Sequence, residues 1–351
     1  MQKSEVNGIK NVRGGVVNWD CSLPMEAYFG YYQTRTLSPK RYRSFTPYYA
    51  DIINENKIGY HKRTKEEFDR ELGYAIQAEI DYFAYVFYPE LGSREHISLS
   101  YSDCSHRVFE LNYARRMHEA SALRDKIGIA AIVAAHPFKD EDISELVELL
   151  KAPYYEKVDG KPLVYIFRGT RVDVIERIRR ACASEGVTAP FFVAMMGEEP
   201  IKDSDRFECV DALSAYACLK TGITEYSELC DEMLRKNRER LNKCRYIIPH
   251  YTVGWDPSPR IDIPSPWVEY EDAEYAKIAS KEELLQGAER LAAWIKSEAY
   301  DSFIGHIMTF AWNEFEEGAW LCPTYNADLT VNEERISTFA TISRYWKEFL
   351  K

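Results

Sequence analysis

The chain predicts an α/β fold of the (β/α)8 barrel type, a single catalytic domain over residues 1–351 with an elaborated loop after the first strand. Three observations carry this expectation. Apolar runs of strand length alternate with longer segments of helical period, eight such runs occur, and no GxGxxG or Walker sequence follows the first. Eight strands with interleaved helices suit a closed parallel barrel better than an open doubly wound sheet, which usually has fewer.

Taken in order, residues 1–20 read as an N-terminal extension and the first strand as 27–32. A Tyr- and Arg-rich loop, 33–61, follows it. Thr64 with Glu67 then has the spacing of a capping box, and Phe68, Leu72, Ala75 and Ile76 fall on one face of the helix it opens. The second strand is expected at 82–88, a helix at 105–123, the third strand at 127–135 and a helix at 143–150. Strand 163–167, helix 172–184, strands 191–196 and 212–216, and helix 226–241 continue the alternation. Strand 246–253 precedes a second capping box, Ser280 with Glu283, ahead of Leu284, Leu285, Ala288, Leu291 and Ala292. Strand 303–310 and helix 333–349 complete the set.

Composition narrows the function. A formal charge of -11 with no Lys/Arg cluster argues against nucleic acid, where counterion release needs clustered cations. The first fifteen residues are polar, and no run approaches the roughly 18 apolar residues of a membrane span. The expectation is therefore a soluble protein without a membrane span, cytoplasmic unless a leader has been removed. Eight cysteines are scattered without a CxxC pair, so a disulfide framework or zinc ribbon is not expected, and Cys182, Cys209, Cys218 and Cys244 read as core fillers beside apolar runs. Metal-site spacings and GxSxG are absent, so no metal site is expected.

Barrel enzymes place their chemistry on the loops after the strand C-terminal ends. Those loops present Tyr31 and Tyr32, Tyr88, His136, Arg168, Tyr216, the segment 254–260, and finally Trp312, Asn313, Glu314, Phe315, Glu316, Glu317 and Gly318. Acids crowded at a strand end split their pKa values, which gives one protonated acid and one carboxylate at neutral pH, the equipment for glycosidic chemistry. In an extended strand Glu314 would share a face with Glu316; in a helical turn it would share one with Glu317, and Gly318 favours the turn. Against this stands a loop whose acids simply face water.

Asn313 could orient a carboxylate, meet a sugar hydroxyl, or hold the loop. Tyr31, Tyr88, Tyr216, Tyr251, Trp255 and Trp312 are candidates for stacking on sugar C–H groups, since Tyr and Trp join an apolar face to a polar atom, although aromatic residues also suit barrel cores. Two prolines stiffen 254–260, where Asp256 and Arg260 could pair as a clamp or Arg260 could touch substrate. His136 is a candidate base or sugar contact; a structural His is the plainer reading.

Four stretches resemble the glycoside hydrolase family 99-like proteins, including the WbsX-like glycosyltransferases. They are residues 67–85, residues 154–162, the segment 255–260, similar to a WDxxPR loop, and the segment 312–318, similar to a WNEWxEG motif. The resemblance implies a (β/α)8 barrel that cleaves α-mannosidic linkages with retention and without a cofactor. By it Glu317 matches the general acid/base and Glu314 the base on the sugar 2-hydroxyl, with a 1,2-anhydro intermediate. Phe315 in place of the second Trp, Glu316 where His is common, and Cys322 before Pro323 depart from the pattern. The expected activity is a retaining glycoside hydrolase acting on an oligo- or polysaccharide; a glycosyltransferase of polysaccharide biosynthesis and a non-catalytic sugar-binding barrel are the alternatives.

Overall fold

The computed structural model describes residues 11–19, 38–59, 63–89, 112–135, 137–197, 201, 207–219, 222, 224–262 and 275–351. The barrel strands are β1 (Arg13–Asn18), β2 (Tyr82–Phe87), β3 (Gly128–Val133), β4 (Lys161–Phe167), β5 (Phe191–Met196), β6 (Ala212–Ala215), β7 in two pieces (Tyr246–Ile247 and His250–Thr252) and β8 (His306–Phe310). Strands β2 to β5 are nearly continuous apolar sequence, as strands buried on both faces require. All pair in parallel, β1 lying between β2 and β8, so the ring runs from the first piece of β7 round to the second.

Helices α1 (Lys65–Gln77), α2 (Tyr113–Ala120), α3 (Asp140–Leu150), α4 (Val172–Ser184), α5 (Tyr226–Leu241), α6 (Lys281–Trp294) and α7 (Glu334–Phe349) lie between and after the strands. Both expected capping boxes form: Thr64 and Ser280 each accept from the backbone of a Glu three residues on, and that Glu returns the bond. The loop after β1 carries a 3-10 turn at Arg43–Phe45 and a small hairpin of Asp51–Asn54 with Lys57–Gly59. Among the described residues no helix is long and apolar enough to cross a membrane.

Two expectations change. The first barrel strand is Arg13–Asn18, inside the stretch read as an extension, whereas the run 27–32 lies outside the described residues. Its signal is weak because Gly14 and Gly15 lack β propensity. Gly15 is required there: a Cβ would lie 2.1 Å from the Tyr82 ring, which fills the barrel floor and meets Tyr165 hydroxyl to hydroxyl at 2.7 Å. Second, strand 246–253 is torn at Ile248 and Pro249. Its first piece pairs with β6, with one further bridge from Ile247 to Phe303, and its second pairs with β8; the β6 ladder ends where the Ile248 N–H donates to the Leu213 carbonyl at 3.0 Å. The Asn237 side chain on α5 takes the place of the missing strand, accepting from the His250 N–H at 3.0 Å and donating to the His250 carbonyl at 2.9 Å.

Below this floor Glu156 joins Arg13 to His306, accepting from the Arg13 Nε at 2.9 Å and standing 3.0 Å from the His306 Nε2. This is the stability face of the barrel. Gly15→Ala is expected to lower unfolding free energy by about 1–3 kcal/mol through overpacking, and Tyr82→Leu in the same chain to recover part of it. Equilibrium denaturation of the three proteins checks this; an unaltered Gly15→Ala variant contradicts the floor.

Candidate active site

Past the end of β8 the chain makes a tight hairpin. Asn313 and Glu314 pair antiparallel with Trp320 and Ala319, Phe315–Glu317 forms one 3-10 turn, and Gly318 turns with φ 67°. Residues three apart eclipse in a 3-10 turn, so Glu314 and Glu317 share a side, the helical alternative of the sequence reading. Gly318 is needed for conformation and for space: a Cβ would come within 2.5 Å of the Asp256 backbone nitrogen. The loop 254–260 packs that closely because the Asp256 N–H donates to the Glu317 carbonyl at 2.7 Å.

This contact delivers Arg260, at the one-turn helix Ser258–Asp262, into the acids. Its buried guanidinium pairs with Glu317 through Nη1, stands 3.4 Å from Glu316 through Nε, and 3.7 Å from Glu314 through Nη2. All three carboxylates are themselves buried. Asp256 is occupied separately, accepting from the Ser258 N–H at 3.0 Å, so neither clamp nor open Arg260 describes the loop. Arg260 instead spans the acid cluster.

Glu314 accepts from the Tyr216 hydroxyl at 2.7 Å, and the Tyr216 ring is wedged between Phe167 and Phe310. Burial, then the charge of Glu317, push the Glu314 carboxyl up to about 8, with Arg260 and the Tyr216 bond pulling the other way. Burial and the neighbouring Glu314 hold the Tyr216 phenol well above its ordinary range. Of the pair, Glu314 is therefore the acid whose proton affinity is raised, while Arg260 pairs with Glu317. Tyr88 accepts from the Trp19 indole N–H at 2.7 Å, and both rings are half-buried.

The remaining candidates divide. Trp312 is completely buried: its indole donates to Glu71 on α1 at 2.9 Å, Glu71 is ion-paired with buried Arg63, and its ring packs on Phe83. Trp255 is buried against Phe310, and Tyr251 points outward to the Leu284 carbonyl. Trp312 and Trp255, expected as sugar contacts, are thus both packed into the core of the described residues. Asn313 spends its amide on the chain after β1, accepting from the Trp19 N–H at 2.9 Å and donating to Asn18 Oδ1 at 3.0 Å, so it is a positioning residue. Tyr31 and His136 lie outside the described residues. Trp19, Glu71 and Arg63 went unnoticed in the sequence; Trp19 would have been found had β1 been placed correctly, because it is the first residue after that strand.

The profile of the glycosyltransferase WbsX family matches residues 134–331, more than half of the chain and both segments that meet at Arg260. The chain belongs to this family. Among solved structures, the WbsX-family chain is similar to the GH99 endo-alpha-mannosidase of Bacteroides thetaiotaomicron in complex with bis-tris-propane, with TM-score 0.56, 13% identity, and 96% and 97% of the two chains covered. A second structure of that endo-alpha-mannosidase gives TM-score 0.54 and 12% identity over 96% and 98%. At such identity the likeness is one of fold. No curated protein matches the sequence. The family 99-like and WbsX-like resemblance is thus borne out, as is the barrel.

In the WbsX-family chain the raised Glu314 value has a sign that can be tested. The folded state holds this proton more tightly than the unfolded state between the ordinary 4.5 and about 8, so its contribution is full below that window and is lost as pH rises through it. Glu314→Gln should therefore gain stability relative to wild type as pH rises from about 5 to 8, by up to about 1.4 kcal/mol per pH unit. Denaturation midpoints over that range check it, and a pH-independent difference contradicts a proton on Glu314.

Proposed function

We propose that the protein is a carbohydrate-active enzyme that cleaves a glycosidic bond of an oligo- or polysaccharide, with Glu314 and Glu317 as the working pair. The arrangement that carries this reading is the unequal pair itself: Glu314, its proton affinity raised by burial, hydrogen-bonded to Tyr216, and Glu317 held by Arg260, at the C-terminal end of a barrel strand. Paired carboxyls with separated proton affinities are what acid/base cleavage requires.

The chemistry follows the scheme that the family resemblance implies. Glu317 protonates the departing glycosidic oxygen as the C1–O bond breaks, while Glu314 takes the proton of the sugar 2-hydroxyl and O2 closes on C1. Water then opens the 1,2-anhydro ring at C1, giving its proton to Glu317, and Glu314 returns a proton to O2, with overall retention. Cleavage by this route begins with the proton on Glu317, whereas at rest it sits on Glu314. Substrate hydroxyls that engage Arg260 loosen its hold on Glu317, so Arg260 couples binding to activation.

The name of the family supports a second reading, a glycosyltransferase of polysaccharide biosynthesis that transfers a sugar from a sugar-nucleotide donor. α-Mannans are the first substrates to try, given the fold neighbours. Wild type, Glu317→Gln and Glu314→Gln should be incubated with a panel of α-mannans and bacterial polysaccharides and assayed for new reducing ends. Each substitution is expected to reduce cleavage by at least about 100-fold. Cleavage that survives Glu317→Gln sinks the assignment, and nucleotide release from a sugar-nucleotide donor with no cleavage replaces it with glycosyl transfer.

A further inference from the structure

The proposed chemistry makes no use of the Tyr- and Arg-rich loop after β1, yet the described stretch of that loop, 38–59, touches both halves of the acid cluster. Tyr42 is 6% exposed, and its hydroxyl donates to the Asp262 carboxylate. Arg41 donates to the same carboxylate at 2.6 Å. Asp262 is the last residue of the one-turn helix that carries Arg260. On the other side Phe45 packs between the Tyr42 ring at 5.6 Å and the Trp320 ring at 4.6 Å, and Trp320 pairs with Asn313 in the hairpin that carries the acids.

A helix of one turn does not hold itself, because the first turn fixes several dihedrals for little hydrogen bonding. Here the Arg260 and Ile261 N–H groups bond to the Pro257 carbonyl at 2.8 and 3.0 Å, and Pro257 and Pro259 fix φ at their own positions. The entry to the turn is held by Asp256, which accepts from the Ser258 N–H at 3.0 Å. Its exit is held by Asp262. Arg260 lies between these two ties, and from that one backbone position its guanidinium faces Glu314, Glu316 and Glu317 together.

The two partners of Asp262 are unequal. The Arg41 side chain is 62% exposed, and an exposed ion pair holds little. The Tyr42 hydroxyl belongs to a buried side chain and donates to a carboxylate, the stronger kind of hydrogen bond. Burial and that bond hold the phenol well above its ordinary range, so it stays a donor at neutral pH. We propose that Tyr42 is a positioning residue for Arg260: by fixing Asp262 it fixes the one-turn helix, and so keeps the guanidinium against the acids. This rests on the reading of Glu314 and Glu317 as the working pair, and it gives the loop after β1 a place in that site.

The test reads a proton affinity, not turnover. Arg260 lowers the proton affinity of Glu314, so a loosened Arg260 lets it rise. The Glu314 carboxyl carbon, assigned by its loss in Glu314→Gln, is titrated by carbon-13 NMR in glutamate-labelled wild type and Tyr42→Phe. Tyr42→Phe keeps the ring against Phe45 and removes only the hydroxyl, and it is expected to move the titration midpoint up by at least about 0.5 pH unit. A merely structural hydroxyl would lower the unfolding midpoint and leave the titration in place. An unmoved titration in folded Tyr42→Phe overturns the proposal. Should that variant fail to fold, Asp262→Asn weakens the same tie and is read in the same way, with the same two outcomes. A shift in a protein that cleaves no saccharide upholds Tyr42 and removes the glycosidase reading; cleavage with an unmoved titration does the reverse.

Discussion

One buried guanidinium facing three carboxylates governs this end of the barrel. Without Arg260, Glu314, Glu316 and Glu317 would stand together in a buried hairpin without the cation that faces all three, and desolvation would favour opening the hairpin to water or protonating the acids. With it, the acids are differentiated. Glu317 has the ion pair, Glu316 a longer contact, and Glu314 the longest, so Glu314 bears the desolvation that the cation does not relieve and keeps a proton. Removing one partner from such a cluster typically costs about 3–5 kcal/mol, because what remains is an uncompensated buried charge.

The hairpin can hold this arrangement because it is tied on three sides. Trp312 anchors it to α1 through Glu71 and Arg63, Asn313 to the end of β1, and the Glu317 carbonyl to the loop 254–260. Two glycines make the last contact possible: a Cβ on Gly254 would meet the Gly318 carbonyl oxygen at 2.3 Å, and one on Gly318 would meet Asp256. Sites fixed by packed side chains and backbone contacts hold the fraction-of-an-ångström geometry that catalysis needs. Glu316, whose side chain reaches Arg260 as well, draws on the same cation as Glu314 and Glu317.

Much of this was legible in the sequence because the strong signals were local. Helices 172–184 and 226–241 were read with their observed bounds, and both capping boxes were explicit in the Thr64/Glu67 and Ser280/Glu283 spacing. The acid cluster announced itself as charge at the end of an apolar run. Long-range constraints were what the sequence hid. Gly15 looks like a weak strand residue until Tyr82 is seen to occupy its space, and the tear at Pro249 depends on Asn237 from a preceding helix. Trp312 and Trp255 read equally well as cleft or core, since an aromatic at a strand end reveals its face only when its partners, Glu71 and Phe310, are known.

The central claim is that the acid pair is unequal before any substrate arrives, with the proton on Glu314. Carbon-13 NMR of the side-chain carboxyls in glutamate-labelled protein, titrated from pH 4 to 10, reads this directly. The account predicts one Glu resonance titrating at about 8 that disappears in Glu314→Gln. A wild-type spectrum in which every Glu resonance has finished titrating below about pH 6 would contradict it.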